Sequence, residues 1–69
     1  MKQKNSVMIA NINYHRSLLG IKQKDLEQAL GISTPTYNRR CYTEGFTVAE
    51  LKILSRVLRT TVSELIKGV

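Results

Sequence analysis

Residues 23–41 read QKDLEQALGISTPTYNRRC, and this stretch decides the fold of the chain. Leu26 and Leu30 are four residues apart, so they lie on one face of a helix. Gly31 follows at the point where a chain leaving a helix often needs a positive φ angle. Ser33 can then accept a hydrogen bond from a backbone N–H and cap a new helix. The stretch therefore predicts two short helices joined by a turn at Gly31.

The second of these helices has an inner face of its own. Tyr37 and Cys41 repeat the spacing of four residues. Pro35 is compatible with a first helical turn, because the N–H that proline lacks has no intrahelical partner there. We expect this helix to begin after Ser33 or Thr34, to end near Tyr42 and to be followed by a loop at residues 43–45.

Length and composition limit the possible classes of protein. At 69 residues we expect one domain over residues 1–69, and a chain this short buries only about 60% of its unfolded surface. Cys41 is the only cysteine, so no intrachain disulfide can form, which fits a reducing cytoplasm. We expect no signal segment, and the longest uncharged run, residues 5–15, is too polar and too short to cross a membrane.

The net charge of +6 is unevenly placed. The first 24 residues contain five basic side chains and no acidic one, whereas the remainder contains six basic and five acidic ones. A concentrated basic region predicts a polyanionic partner, either nucleic acid or an anionic membrane surface. A membrane-surface helix needs an apolar face opposite its cations, and the first predicted helix has such a face. Composition therefore leaves both partners open.

The N-terminal region predicts the first helix, from about Asn5 or Ser6 to Leu18, with Gly20 ending it. Its expected inner stripe contains Met8, Ile12, His15 and Leu19, with Ile9 and Arg16 beside it. The second helix, from about Gln23 to Leu30, starts after Lys22. Lysine has no acceptor and is a poor cap, so backbone N–H groups stay free there, although Asp25 interacts favourably with the helix dipole.

Two capping boxes predict the starts of the last two helices. Thr47 and Glu50 form the first box, and Phe46 before it can pack onto Leu51 as a hydrophobic staple. The inner face of that helix contains Leu51, Leu54 and Leu58.

The second capping box pairs Thr61 with Glu64 and predicts a short helix of about Val62 to Lys67, which Gly68 stops. No segment alternates like a β-strand. The predicted fold class is therefore all-α, with five short helices around one core.

Two short helices with a glycine-containing turn are the helix-turn-helix plan, in which the second helix enters the major groove of DNA. Asn38 and Arg39 lie on the outer face of that helix, where asparagine can bind adenine and arginine can bind guanine through two hydrogen bonds each. Thr34 can reach a thymine methyl group or a phosphate, and Pro35 offers only apolar contact. These four are our candidate base contacts; the alternative is an ordinary solvated face.

The order and spacing of several elements resemble the phage repressor and Cro class of helix-turn-helix proteins, from Arg16 to Ile66. The matching elements are Arg16 seven residues before Gln23, Leu26, Leu30-Gly31-Ile32-Ser33, Glu50-Leu51 and Leu58…Glu64-Leu65. Small prophage-encoded regulators are similar in particular. The resemblance implies a compact five-helix bundle of the lambda-repressor type. It also implies a sequence-specific regulator of transcription that binds a double-stranded DNA operator in the cytoplasm of a bacterial or phage-infected cell.

Three residues depart from the pattern of that class. Glu27 stands where the class usually has a small residue, because two helices cross closely there. Cys41 stands where many members have a glutamate that pairs with the arginine matching Arg16. Arg16 therefore needs another acceptor or faces phosphate. Lys22 replaces the usual threonine or serine cap.

Gln23 resembles the glutamine with which the class touches the DNA backbone, and a helix start with free N–H groups attracts phosphate. We expect phosphate contacts from polar and basic side chains around the two central helices: Lys22, Gln23, Lys24, Thr36, Arg40, Tyr42 and Thr43. The alternative for these residues is simple exposure to solvent.

A DNA-binding domain this small contacts few base pairs, so we expect a homodimer on a near-palindromic site, with its two copies about one helical turn apart. The candidate dimer seam consists of the apolar C-terminal residues Val62, Ile66 and Val69, while Leu65 must also fill the core. The alternative function is a protein-interaction module of antirepressor or antitoxin type on the same fold.

His15 and Cys41 raise the question of catalysis, because Cys–His pairs can form nucleophilic sites. Each residue type occurs once in the chain, and a metal site needs three or four ligands. We expect Cys41 in the core and His15 at the surface of the first helix or at the boundary between surface and core. We expect no enzyme activity, no metal and no cofactor.

Overall fold

The computed structural model describes residues 4–68, and these form five α-helices and one π-helical turn. The elements in chain order are α1 (Lys4–Leu19), α2 (Gln23–Leu30), α3 (Thr34–Arg39), the π turn (Arg40–Glu44), α4 (Val48–Val57) and α5 (Val62–Leu65). No residue of this range lies in a strand. The predicted all-α fold class with five helices is therefore confirmed.

One hydrophobic core lies between the helices, and every element contributes to it. Its buried members are Met8, Ile12, Leu26, Tyr37, Cys41, Leu51, Leu54, Leu58 and Leu65. The predicted inner faces of α3 and α4 are thus confirmed, and Cys41 is a core residue as expected. Glu27 and Ser55 are the buried polar side chains in the described part of the chain.

The first helix ends as predicted at Gly20, whose φ angle is +67°. Its predicted inner stripe is correct for Met8 and Ile12 but wrong for Leu19, which is 42% exposed. Leu19 is the last residue of α1, and Ile21 beyond the turn packs against the core instead. The helical stripe therefore ends one turn earlier than its sequence period suggests.

The end of the third helix also differs from the prediction. The α-helix stops at Arg39, but a π turn continues to Glu44, where a loop was expected for residues 43–45. The Gly45 N–H donates to the Arg40 carbonyl at 2.7 Å, and this bond closes the wider turn. Arg40 Nη1 also lies 2.7 Å from the Glu44 carboxylate, which stabilises the same turn.

The last two helices begin at the predicted caps. Thr47 Oγ1 accepts from the Glu50 N–H at 3.1 Å, and the Glu50 carboxylate accepts from the Thr47 N–H at 2.9 Å. At α5 the described residues show only the threonine half of the box, a 3.2 Å bond from the Glu64 N–H to Thr61 Oγ1. Phe46 packs against the core and meets Tyr37 edge to face, while its contact with Leu51 stays a prediction.

The last helix is shorter than predicted and is tied to the first. It ends at Leu65 and not at Lys67, and a turn follows up to Gly68 with its φ angle of +86°. Asn11 Nδ2 donates to the carbonyls of Leu65 and Lys67, both at 2.9 Å. No helix of residues 4–68 has the length and apolar character that spanning a membrane requires.

Candidate nucleic-acid interface

The turn between α2 and α3 has the predicted geometry. Gly31 adopts φ 69° and ψ 34°, a left-handed conformation that glycine adopts without steric cost. Its N–H donates to the Gln28 carbonyl at 3.2 Å, and the Ile32 N–H donates to the Glu27 carbonyl at 3.1 Å. This pair of bonds is the Schellman helix ending. Ser33 then caps α3 by accepting from the Thr36 N–H at 3.3 Å.

The start of α2 has no side-chain cap from Lys22, as the sequence predicts. Asp25 does more than interact with the helix dipole. Its carboxylate also accepts a hydrogen bond from the Lys22 N–H at 3.0 Å. Lys22 and Lys24 are exposed on either side of the helix start. Two cations and the positive end of a helix dipole therefore point to solvent at one place.

The outer face of α3 presents all four candidate base contacts to solvent. These exposed residues are Thr34, Pro35, Asn38 and Arg39. Arg39 is held only loosely, at 3.4 Å from Thr36 Oγ1 and 3.6 Å from the Glu44 carboxylate. An exposed ion pair of this kind is worth at most about 1 kcal/mol, so Arg39 can leave it for another partner.

Glu27 forms a polar link between α2 and α3 that sequence reasoning did not identify. Its side chain is buried, with 5% of the residue exposed. One carboxylate oxygen accepts from Thr34 Oγ1 at 2.6 Å and the other from Gln23 Nε2 at 2.9 Å. The spacing of four residues between Gln23 and Glu27 was the available sequence signal.

The hydrogen bonds keep Glu27 ionised despite its burial. The bond from Thr34 lowers the pKa of Glu27 most, the bond from Gln23 adds to this, and the charge of Lys24 lowers it slightly further. Desolvation acts in the opposite direction and is outweighed. Glu27, which replaces the small residue usual in the repressor and Cro class, is thus an anion. It lies beside two candidate DNA contacts, Gln23 and Thr34.

Arg40 lies at the junction of the π turn and α4 and is half-buried. Its guanidinium contacts the Glu44 carboxylate at 2.7 Å and the Glu50 carboxylate at 3.0 Å. The hydrogen bond that Arg40 donates to Glu44 raises the pKa of Arg40 most, burial lowers it, and the charge of Glu50 raises it. Its predicted phosphate contact remains untested, and two carboxylates already share its charge.

Arg16 finds the first of its two expected alternatives, another acceptor. Its Nη2 donates to Asn13 Oδ1 at 3.1 Å. Its Nε is buried and has no hydrogen-bond partner among residues 4–68. Burial raises the pKa of Tyr37 well above its usual range, and the nearby charge of Arg16 offsets only part of that shift. Burial also raises the pKa of Cys41, so this cysteine cannot replace the missing glutamate as an anion near neutral pH.

The remaining predicted phosphate contacts divide into two groups. Tyr42 and Thr43 are exposed at the π turn, like the two lysines of α2. Thr36 is half-buried and bonded to Ser33 Oγ at 3.0 Å, and Gln23 is half-buried and bonded to Glu27. The exposed residues are therefore accessible to an anion, whereas Gln23 and Thr36 already form hydrogen bonds within the protein.

The candidate dimer seam is only partly available. Val62 is half-buried and packs against the core, whereas Ile66 is 41% exposed. Val69 lies outside the described residues. Leu65 is fully buried, as expected for a core residue.

The site has the shape of a surface and not of a cleft. The described part of the chain contains no enclosed pocket. Within residues 4–68, no three His, Cys, Asp or Glu side chains lie close enough together to hold a metal ion. A long polymer can lie along such a surface, whereas a small ligand would have little to enclose it.

Comparison with known proteins identifies the family. The family model for Cro/C1-type HTH DNA-binding domains matches residues 11–69, from the middle of α1 to the last residue. No curated protein and no solved structure matches the chain. The match includes both helices of the motif and the helices that support them, so the chain belongs to the Cro/C1-type helix-turn-helix DNA-binding family.

Proposed function

We propose that this protein is a sequence-specific regulator of transcription that places α3 in the major groove of an operator. The observation that carries the proposal is the outer face of α3 in a Cro/C1-type domain. Thr34, Pro35, Asn38 and Arg39 are exposed there, while Tyr37 on the opposite face is buried. Exposed side chains that suit base edges can contact DNA, although Thr34 and Arg39 also bond within the protein.

The electrostatics of α2 supports the same orientation. Lys22 and Lys24 are exposed at a helix start whose N–H groups attract anions. Tyr42 and Thr43 are exposed beyond the other end of α3. We propose phosphate contacts on both sides of the recognition helix, which would fix its register on the duplex.

We further propose a Cro-like or repressor-like role in a phage, prophage or other mobile element, exercised in the cytoplasm by one domain that spans the chain. The resemblance to small prophage-encoded regulators supports this origin. Two copies on a near-palindromic site would supply the affinity that one small reader lacks. Sedimentation at micromolar concentration, with and without residues 66–69, tests the seam. A dimer that persists after that truncation would place the seam elsewhere.

Selection of bound duplexes from a random pool is the experiment that tests the proposal. A specific reader enriches one sequence, and a dimeric reader enriches a near-palindrome. The affinity for the selected duplex should fall steeply with salt, with a slope of log K against log salt of about −0.9 per phosphate contacted. Enrichment of no sequence, with no duplex affinity at about 50 mM salt, would overturn the proposal.

One arginine variant and one lysine variant test which side chain contacts a base and which contacts a phosphate. Arg39→Ala should weaken binding to the selected duplex by about 1–3 kcal/mol and relax preference at one base pair. Lys24→Ala should weaken binding to all duplexes evenly and reduce the salt slope by about 1. Arg56→Ala is the matched control, because Arg56 is exposed on α4 and its loss removes the same charge away from α3. If Arg39→Ala behaves like Lys24→Ala, Arg39 contacts the backbone and not a base.

A protein-interaction role of antirepressor or antitoxin type is the second candidate. The internal bonds of Gln23, Thr34 and Arg40 favour it, because each reduces what the side chain can offer to DNA. Tyr14 and Leu18 also favour it, since they are 60% and 63% exposed one helical turn apart on α1. Measurable, salt-dependent duplex affinity would exclude this role as the main one.

A further inference from the structure

Glu27 controls the hydrogen-bonding character of Thr34. The two side chains are 2.6 Å apart, and the pKa of Glu27 is lowered, so its carboxylate is ionised near neutral pH. An ionised carboxylate only accepts hydrogen bonds. The hydrogen in this contact is therefore that of the Thr34 hydroxyl, which has no other.

Thr34 consequently faces solvent as an acceptor. It is exposed at the first position of α3, and its hydroxyl hydrogen points to Glu27. The oxygen lone pairs that remain can accept from a donor but cannot bond a phosphate oxygen, because that oxygen is also an acceptor. The phosphate contact that the sequence allowed for Thr34 thus requires breaking a short, charge-assisted bond.

Donors in the major groove are the amino groups of adenine N6 and cytosine N4, whereas guanine and thymine present acceptors there. We infer that Glu27 is a specificity-determining positioning residue. It holds the Thr34 hydroxyl as an acceptor for an amino-bearing base, adenine or cytosine, on the contacted strand. This inference rests on the proposed DNA-binding function.

Glu27 also bears on non-specific affinity, through its charge. Its second oxygen accepts one amide hydrogen of Gln23, at 2.9 Å, beside the helix start where we place a phosphate. A negative charge at that place opposes phosphate. Removal of the charge and removal of the Thr34 contact should therefore have separable effects, the first on all duplexes and the second on one base pair.

Four variants separate these effects. Glu27→Ala removes the charge and the contact. Glu27→Gln removes the charge but keeps both contacts possible. The new amide oxygen can still accept from Thr34, and the new amide N–H can donate to the side-chain carbonyl of Gln23. Thr34→Val removes the hydroxyl, and Thr34→Ser keeps it. Circular dichroism first checks that each variant folds, and the two Thr34 variants keep the inference testable if either Glu27 variant does not.

The measurements are duplex selection by each protein and dissociation constants on the selected and a scrambled duplex. We expect both Glu27 variants to bind the scrambled duplex more tightly than the wild type. At one common base pair, the ratio of affinities for the preferred and the other base pairs should fall by about 5- to 100-fold in Glu27→Ala and in Thr34→Val. Replacing the adenine or cytosine of that pair by an analogue without the major-groove amino group should weaken binding of the wild type but not of Thr34→Val. Glu27→Gln and Thr34→Ser should retain the preference.

Three results would overturn the inference while leaving the proposed function intact. The first is a wild type that selects an operator whose specificity neither Glu27→Ala nor Thr34→Val changes. The second is an analogue without the major-groove amino group, placed at the common base pair, that weakens binding of the wild type and of Thr34→Val equally. The third is Glu27→Gln losing the preference as fully as Glu27→Ala does. A wild type that selects no duplex would instead overturn the proposed function, and this inference with it.

Discussion

The pair α2–α3 and the pair α4–α5 follow the same local backbone plan, with a constant offset in residue number. Leu26 and Leu54 are both fully buried in the first helix of their pair. Each first helix then ends in a left-handed residue, Gly31 with φ 69° or Arg59 with φ 55°. The two backbone hydrogen bonds that close each turn also join corresponding residues of the two pairs. A hydroxyl side chain caps each second helix.

The two pairs differ in what covers their second helix. α3 has four exposed candidate base contacts, whereas the bonds from Asn11 to Leu65 and Lys67 tie the C-terminal end of α5 to α1 and leave Ser63 and Glu64 exposed. Val62, at the start of α5, also packs against the core. The comparison teaches that one local backbone plan can present different side chains. α3 exposes our four candidate base contacts, whereas α5 is four residues long and exposes Ser63 and Glu64.

The pairs differ again at one buried polar position. Glu27 and Ser55 are counterparts, but Ser55 Oγ donates to the Lys52 carbonyl of its own helix at 2.7 Å, whereas Glu27 bonds across to α3. The second pair therefore satisfies its polar group locally. In the first pair the polar group couples two candidate DNA contacts.

The largest expected effect tests whether both pairs share one core. Leu26→Ala and Leu54→Ala should each lower the free energy of unfolding by about 2–5 kcal/mol, because each removes a fully buried side chain. Urea unfolding followed by circular dichroism at low temperature measures this. Leu18→Ala, at a position that is 63% exposed, is the control and should change it by less than about 0.5 kcal/mol. Two separate transitions would show that the pairs unfold independently.

The next effect concerns the turn of the first pair. Gly31→Ala should lower the free energy of unfolding by about 1–2 kcal/mol, the cost of a left-handed L-residue. A Cβ at Gly31 would have no atom within 4 Å, so the cost comes from the backbone alone. Gly31→Asn is the matched control and should cost less, because asparagine tolerates this conformation. Equal losses in both variants would contradict the backbone explanation.

The turn of the second pair should respond in the opposite direction. Arg59→Gly should raise the free energy of unfolding by about 0.5–1 kcal/mol, since relief of the left-handed strain exceeds the added chain entropy of glycine. Arg59→Lys removes no strain and should leave stability unchanged. A destabilised Arg59→Gly variant would mean that the Arg59 side chain contributes more than its backbone costs.

The smallest effect distinguishes Glu27 from Ser55 by pH. Because folding lowers the pKa of Glu27, its contribution to stability is present above the unfolded pKa of about 4.3 and is lost as pH falls through the folded value. The urea midpoint of the wild type should therefore fall more between pH 7 and pH 3 than that of Glu27→Gln. Ser55→Ala, which removes a side chain that does not titrate, should keep the pH dependence of the wild type.

The parts of the fold that the sequence predicted well depend on neighbouring residues. Helical spacing identified the core leucines, Gly31 and Ser33 identified the central turn, and Thr47 with Glu50 identified the start of α4. Each of these signals acts within one helical turn, so no distant contact was needed to interpret it. The order of these elements also sufficed for the resemblance to the repressor and Cro class.

The parts that the sequence missed depend on contacts that a helical period does not reveal. The π turn is closed by a bond within residues 40–45 and linked to α4 by Arg40 and Glu50. The early end of α5 accompanies bonds from α1. Leu19 is exposed, and Ile21 beyond the turn packs against the core. None of these pairings has a spacing that a helical period would reveal.

The sequence by itself determined the helices, their caps, the basic N-terminal third and the membership of a DNA-binding family, because short-range sterics and hydrogen bonding dictate these features. Only the tertiary structure decided how the C-terminal end of α5 is held and what the first residue of α3 can donate or accept. Those properties depend on side chains that meet across helices, Asn11 with Leu65 and Glu27 with Thr34. Packing brings such pairs together, and spacing alone does not predict them.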